Sequence, residues 1–153
     1  DLRHRFETSE VPAMRRQYLA ALGAFEDPTL RERALEYSLS DAVRASETTT
    51  MWRDFRDRSD AQTGEFFQWI MDHYGTISHR VPPPALRFLP TLAGACSQER
   101  LAAAKAFFGD PQRSAPGVRS TLERLGDQVQ QCTSLRDREE RSVAEYLRSQ
   151  EAR

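Results

Sequence analysis

Met14-Arg15-Arg16-Gln17-Tyr18-Leu19-Ala20-Ala21-Leu22-Gly23-Ala24-Phe25-Glu26-Asp27-Pro28-Thr29-Leu30 is the stretch on which the fold turns. Met14, Tyr18, Leu22 and Phe25 recur at three- and four-residue steps, the period of a helix that buries one face. Gly23 stands near the end of that helix. Asp27-Pro28 then supplies an N-cap followed by proline at the first helical position, where a missing N–H costs nothing. A second helix follows, with Leu30, Ala34, Tyr37 and Ser38 on one side. So short a connection forces the two helices antiparallel.

The same grammar continues in both directions. A turn through Ser40-Asp41-Ala42-Val43 leads to a third helix with Thr48, Met51, Trp52 and Phe55 on its apolar stripe. Ser59 and Gln62 have capping-box spacing and open a fourth helix carrying Phe66, Phe67, Ile70, Met71, Tyr74 and Ile77. Val81-Pro82-Pro83-Pro84 breaks the pattern as a corner, because a proline run cannot continue a helix. Leu86, Leu89, Leu92, Ala93 and Cys96 mark a fifth helix. Ser97 caps a sixth, with Glu99 in its first turn and Leu101, Ala104, Phe107 and Phe108 inside. After the punctuation of Asp110-Pro111 and Ala115-Pro116-Gly117, a seventh helix carries Val118, Leu122, Leu125, Val129 and Cys132. An eighth runs from Leu135 to Leu147, with Val143 and Tyr146 on its apolar side.

No stretch alternates as a strand does. The expectation is therefore an all-α chain of about eight helices over residues 1–153, in antiparallel pairs stacked as a HEAT- or armadillo-like α-solenoid. A closed helical bundle is the other arrangement this pattern allows. Each pair carries an apolar stripe too wide to leave in water, and stacking buries the stripes against one another.

Composition narrows the function classes. Of 153 residues, 39% are hydrophobic and 29% charged, the mix of a globular chain rather than a disordered one. The net charge of −1 leaves no surplus with which to hold phosphates or anionic lipid, so neither a nucleic acid nor a membrane is an expected partner. No run is apolar enough to span a bilayer. Lys105 is the sole lysine among 22 basic residues, as a GC-rich coding bias produces. Cys96 and Cys132 fall on apolar helix faces and read as buried, unpaired thiols. With the arginine-rich composition, they point to a bacterial cytoplasmic protein.

Catalytic constellations are missing from the sequence. Zinc hydrolysis needs two histidines one helical turn apart, and His4, His73 and His79 include no such pair. No serine lies in a G-x-S-x-G turn, no glycine-rich loop could cradle phosphate, and neither cysteine has a histidine nearby in sequence. Glu139-Glu140 sit in a mixed-charge run from Arg136 to Arg141, which solvates an exposed face. Trp52, Phe55, Phe66, Phe67 and Trp69 stand at helical spacing and read as core. No cofactor or metal is expected in this chain.

Ordered pieces along the chain carry a resemblance. Tyr18-Leu19-Ala20-Ala21-Leu22-Gly23 before Asp27-Pro28 is similar to an L-x-A-L-G segment with a short loop. Asp41-Ala42-Val43-Arg44-Ala45-Ser46-Glu47 is similar to a V-R-x-Q-D turn, and Phe67-Gln68-Trp69-Ile70-Met71-Asp72-His73-Tyr74 to a W-x-F-x-x-x-N-W helix. Ser97-Gln98-Glu99-Arg100-Leu101, leading to Phe107-Phe108, is similar to an S-x-E-x-L segment ending in F-F. Leu122 through Arg136 resembles the ending of bacterial members. Together, from Tyr18 onward, these resemble the C-terminal helical domain of the aminopeptidase N family of zinc metallopeptidases. The sequence departs from that pattern at Phe67, His73 and Tyr74, in the degraded N-P-x-G-R turn at Arg58 to Gly64, and at Ala144-Glu145-Tyr146, where a tryptophan is usual.

The resemblance implies a C-terminal fragment of a larger enzyme, in keeping with an opening, Asp1-Leu2-Arg3, that lacks methionine. The catalytic zinc would lie in the catalytic domain of the same polypeptide, and this domain would cap the active-site cavity and help hold a peptide substrate. Arg44, in the V-R-x-Q-D-like turn, is the implied substrate-binding residue, since guanidinium suits carboxylates and peptide carbonyls. The competing function is a HEAT-like scaffold that binds a protein partner.

Overall fold

The computed structural model of the chain describes residues 1–56, 59–94, 96–113 and 115–151, and these contain helices and turns and no strand. The Arg58 end of the degraded turn lies outside the described residues. The fold is all-α, as the periodicity requires.

Helix α1 (Leu2–Thr8) precedes every element read from the sequence. It is only seven residues long, too short for a periodic signal, and it is fixed by Asp1, whose carboxylate accepts the His4 N–H, and by the fully buried Phe6. Helices α2 (Pro12–Gly23) and α3 (Pro28–Ser38) follow as expected, with Asp27 accepting the Leu30 N–H at 3.0 Å. Most of the predicted faces are turned inward, with Leu22, Ala34, Tyr37 and Ser38 buried and Tyr18 and Phe25 half-buried. Met14 and Leu30 are exposed, while Leu19 and Arg31 are buried instead. The reason lies in packing: α2 lies mainly along α4 (Ala45–Arg56) rather than along its sequence neighbour α3. Gly23 permits the approach, because a Cβ there would sit 2.6 Å from the Met51 carbonyl oxygen.

Helix α4 presents Thr48, Met51, Trp52 and Phe55 to the core, as its spacing predicts. The indole N–H of Trp52 donates to Ser38 Oγ at 3.0 Å, and that hydroxyl donates to the Leu35 carbonyl, so the end of α3 is satisfied inside the core.

The predicted fourth helix is two. Helix α5 (Asp60–Asp72), capped by Ser59, ends at His73, and α6 (Tyr74–Arg80) restarts there. The His73 N–H keeps its regular bond to the Trp69 carbonyl, and its ring Nδ1 lies 2.9 Å from the same oxygen at the junction of the two helices. The predicted fifth helix is reduced to a single turn, α7 (Pro83–Leu86), and a 3-10 segment, Leu89–Ala93. Pro90 lacks the donor a continuing helix needs and closes the segment into a tighter form. Gly94 then reverses the chain at φ 81°, a left-handed conformation that glycine adopts freely.

Helix α8 (Gln98–Phe108) starts at Ser97, whose hydroxyl accepts the Arg100 N–H at 3.1 Å. The last two predicted helices are one, α9 (Val118–Glu151), 34 residues long and about 51 Å from end to end. Thr133-Ser134 contains no glycine or proline to stop it. Val118, Leu122, Leu125 and Val129 bury its first half against α8 and the 3-10 segment. Leu135, Val143, Tyr146 and Leu147 are exposed on its second half.

Cys96 and Cys132 form a disulfide, with Cα atoms 5.2 Å apart. This corrects the reading of two buried free thiols: both are half-buried, and the helical turn at Cys132 lies directly over the loop that precedes α8. Separation along the chain hid a proximity that the 3-10 segment creates. Around these elements a single apolar core extends from Phe6 to Val129, with Phe66, Phe67, Ile70, Ile77 and Phe108 at its centre. Each such side chain contributes about 1.5–3 kcal/mol by leaving water.

Candidate functional site

The turn that carries Arg44 is held from two sides. Val43 is fully buried and anchors the loop between α3 and α4, its N–H donating to the Ser40 carbonyl at 3.1 Å. Arg80, at the end of α6, donates through Nη2 to the carbonyls of Ser40 and Val43, and through Nη1 to Asp41 Oδ1 at 3.2 Å. Guanidinium suits this place because one rigid fork reaches several acceptors at once.

On the other side stands Glu47, in the first turn of α4. Its Oε2 accepts the Arg44 N–H at 3.1 Å, the backward half of a capping box, while the Arg44 carbonyl accepts the N–H groups of Glu47 and Thr48. Arg15 of α2 grips the same carboxylate with two parallel bonds, Nε and Nη2 each at 3.2 Å. Nη1 of Arg15 donates to the Phe6 carbonyl at 2.9 Å, and the guanidinium lies 4.2 Å from the centre of the Phe6 ring. Burial opposes the charge on Glu47. The hydrogen bonds from Arg15 and from the Arg44 N–H, with the Arg15 charge, outweigh it and hold the carboxyl below its usual range. Arg44 is thus the N-cap of α4 by its backbone, and its side chain points into solvent with no ion pair among the described residues.

A similar tie lies nearby on α1. Tyr37 donates to Glu7 Oε1 at 2.9 Å, and burial, then that bond to a carboxylate, pushes the phenol up to about 12.

The histidines do not converge. His4 is exposed on α1, His73 stacks on Trp69 with ring centres 4.5 Å apart, and His79 points its Nδ1 at the Gly75 carbonyl, 2.6 Å away. Among the described residues, no three side chains of His, Cys, Asp or Glu come together as a metal site. Trp52, Phe55, Phe66 and Phe67 are core, and Trp69 is half-buried beside His73.

One concavity escaped the sequence reading. Trp52, Ala85, Leu89 and Leu92, with Thr49 and Phe88 at the rim, line a groove of about 230 Å³ between α4 and the proline corner. Phe88 is 47% exposed, and the Arg87 guanidinium lies 4.6 Å from its ring centre. The available signal was an aromatic residue placed after three prolines, where no helical stripe could absorb it.

Fold and site together define an all-α domain of packed helices, with buried aromatic faces and arginine-braced turns. The chain belongs to the ERAP1-like C-terminal domain family, whose model matches residues 1–131, and it is thereby a C-terminal domain of the kind found in aminopeptidase N-like metallopeptidases. The matched span starts ahead of Tyr18, taking in α1, and stops within α9. No curated protein matches the chain. No helix among the described residues is long and apolar enough to cross a membrane.

Proposed function

We propose that this chain is the non-catalytic C-terminal domain of a zinc-dependent aminopeptidase, capping the active-site cavity and contributing to the binding of a peptide substrate. The observation that carries the reading is the family match over residues 1–131. In this reading the zinc belongs to the catalytic domain of the same polypeptide.

Arg44 is the residue assigned to substrate. Its backbone is fixed by Glu47 on one side and through Val43 by Arg80 on the other, while its guanidinium is left free to meet a carboxylate or a peptide carbonyl. A pre-set turn lowers the entropy cost of such a contact. Bacterial origin and a cytoplasmic setting rest on the arginine-rich composition alone, since the Cys96–Cys132 pairing withdraws the support of unpaired thiols.

The test compares three proteins in a zinc-supplemented aminopeptidase assay over peptides of increasing length: the parent, the parent lacking this domain, and the parent with Arg44→Ala. Activity in the parent, a changed length preference without the domain, and a raised KM with little change in kcat for Arg44→Ala support the reading. A parent that neither binds zinc nor cleaves peptides overturns it. An Arg44→Ala protein with unchanged KM on every peptide removes Arg44 from the site and leaves the capping role to be judged by the truncation.

A further inference from the structure

We propose that the Cys96–Cys132 disulfide is a redox-operated clasp that fixes the root of the projecting half of α9 to the body and releases it on reduction. The core face of α9 runs through Val118, Leu122, Leu125 and Val129, and the next residue on that face is Cys132. Its partner, Cys96, lies in the loop between the 3-10 segment and Ser97, the N-cap of α8. From Ser134 to Gln150 every residue is exposed except the half-buried Glu139. The disulfide is therefore the last covalent tie between α9 and the rest of the fold, and beyond it, among the described residues, only the charge of Arg136 reaches back, to Asp60 of α5.

What lies beyond that attachment cannot hold itself firmly. Most helical stability in a protein comes from tertiary packing of one face, so an unpacked segment depends on the packed turns before it for its nucleus. The outer half exposes Leu135, Val143, Tyr146 and Leu147 and is supported mainly by local contacts such as the Arg138–Glu139 pair. Moving the last anchor from Cys132 back to Val129 costs it most of a helical turn of support.

Both cysteines are half-buried rather than sealed, so a reductant can reach the bond. A dithiol reductant of the thioredoxin class supplies the two electrons. One thiolate attacks a sulfur of the pair and forms a mixed disulfide. The released cysteine takes up a proton, and the second thiol of the reductant then displaces the other cysteine, leaving two protein thiols and an oxidised reductant. In a reducing cytoplasm the clasp is open, and in an oxidising compartment it is closed.

The experiment is hydrogen–deuterium exchange on the full chain, air-oxidised and then reduced with dithiothreitol, with alkylation and mass measurement to count thiols in each state. The proposal expects no free thiol in the oxidised protein. It also expects at least tenfold faster exchange over residues 126–140 after reduction, a smaller change in α5 and α8, and reversal on reoxidation. Cys96→Ser and Cys132→Ser should each reproduce the reduced profile without reductant. The idea is overturned if both cysteines alkylate in the oxidised protein, if α9 exchange is the same in both states, or if α5 and α8 loosen as much as α9. The comparison within the unsubstituted protein stands even where a serine variant fails to fold.

Discussion

Arg15 and Glu47, 32 residues apart in sequence, meet through two parallel bonds of 3.2 Å and join α2 to the first turn of α4. Their side chains are 11% and 14% exposed, so the pair is largely shielded from water. Removing one member leaves the other charge buried and unmatched, which is where ion pairs matter most. Glu47→Ala is expected to lose about 3 kcal/mol in urea unfolding, and Arg15→Ala a similar amount. In a double-mutant cycle the two losses should fail to add, because the second substitution removes a charge already stranded by the first. Additive losses would mean that the two residues act separately.

Acid should weaken the fold through the same carboxylate, among others. Glu47 is held below its usual value of 4.5, and Asp60, hydrogen-bonded first of all by Arg100, below 3.8. A carboxyl whose folded value is lowered contributes stability in full above its unfolded value, and that stability is lost as pH falls through the folded one. The melting temperature should therefore hold nearly level down to about pH 5 and decline progressively below about pH 4.5. Glu47→Gln should flatten part of that decline. A melting temperature that peaks in acid would contradict the assignment.

Ser38→Ala strips the acceptor from the buried Trp52 indole N–H, which no water can reach at 3% exposure. An orphaned buried donor costs about 1–3 kcal/mol. Chemical denaturation should show that loss, and the tryptophan emission of the folded state should shift as the indole changes partner.

Gly23→Ala would place a methyl group 2.6 Å from the Met51 carbonyl, a backbone atom that cannot swing aside. The helices α2 and α4 would have to separate, at an expected cost of about 1–3 kcal/mol. In an isolated helix alanine would stabilise this position, so the sign of the measured change tests the packing directly.

Cys132→Ser opens a loop closed across a sequence separation of 36 residues. Chain entropy assigns such a closure about 3–4 kcal/mol. Thermal melts of the variant and of the oxidised parent should differ by that amount, and a reduced parent should melt with the variant.

Elements with both a cap and a stripe were legible from sequence: Asp27-Pro28 opened α3, Ser59 opened α5, and Ser97 opened α8. Places where a local signal was overridden were not. The Pro90 break was written in the sequence yet masked by apolar residues at helical spacing around it. The Arg44 turn was singled out by resemblance, but the reason it is rigid, Arg80 reaching back from α6, lies 36 residues further along the chain.

By itself the sequence determined an all-α chain, where most of its helices begin, and which aromatic residues would leave water, because these follow from the 3.6-residue period and from backbone capping, both local properties. Which helix meets which, and at what rotation, was decided only in three dimensions. α2 turned from α3 to α4 because Gly23 allows the closest backbone approach there, and Arg31 displaced Leu30 from the buried side of α3. The cysteines joined because the 3-10 segment and α9 pack together, a contact no spacing along the chain records. Local chemistry chooses helices; the filling of shared space, with its volumes and stranded charges, chooses their partners.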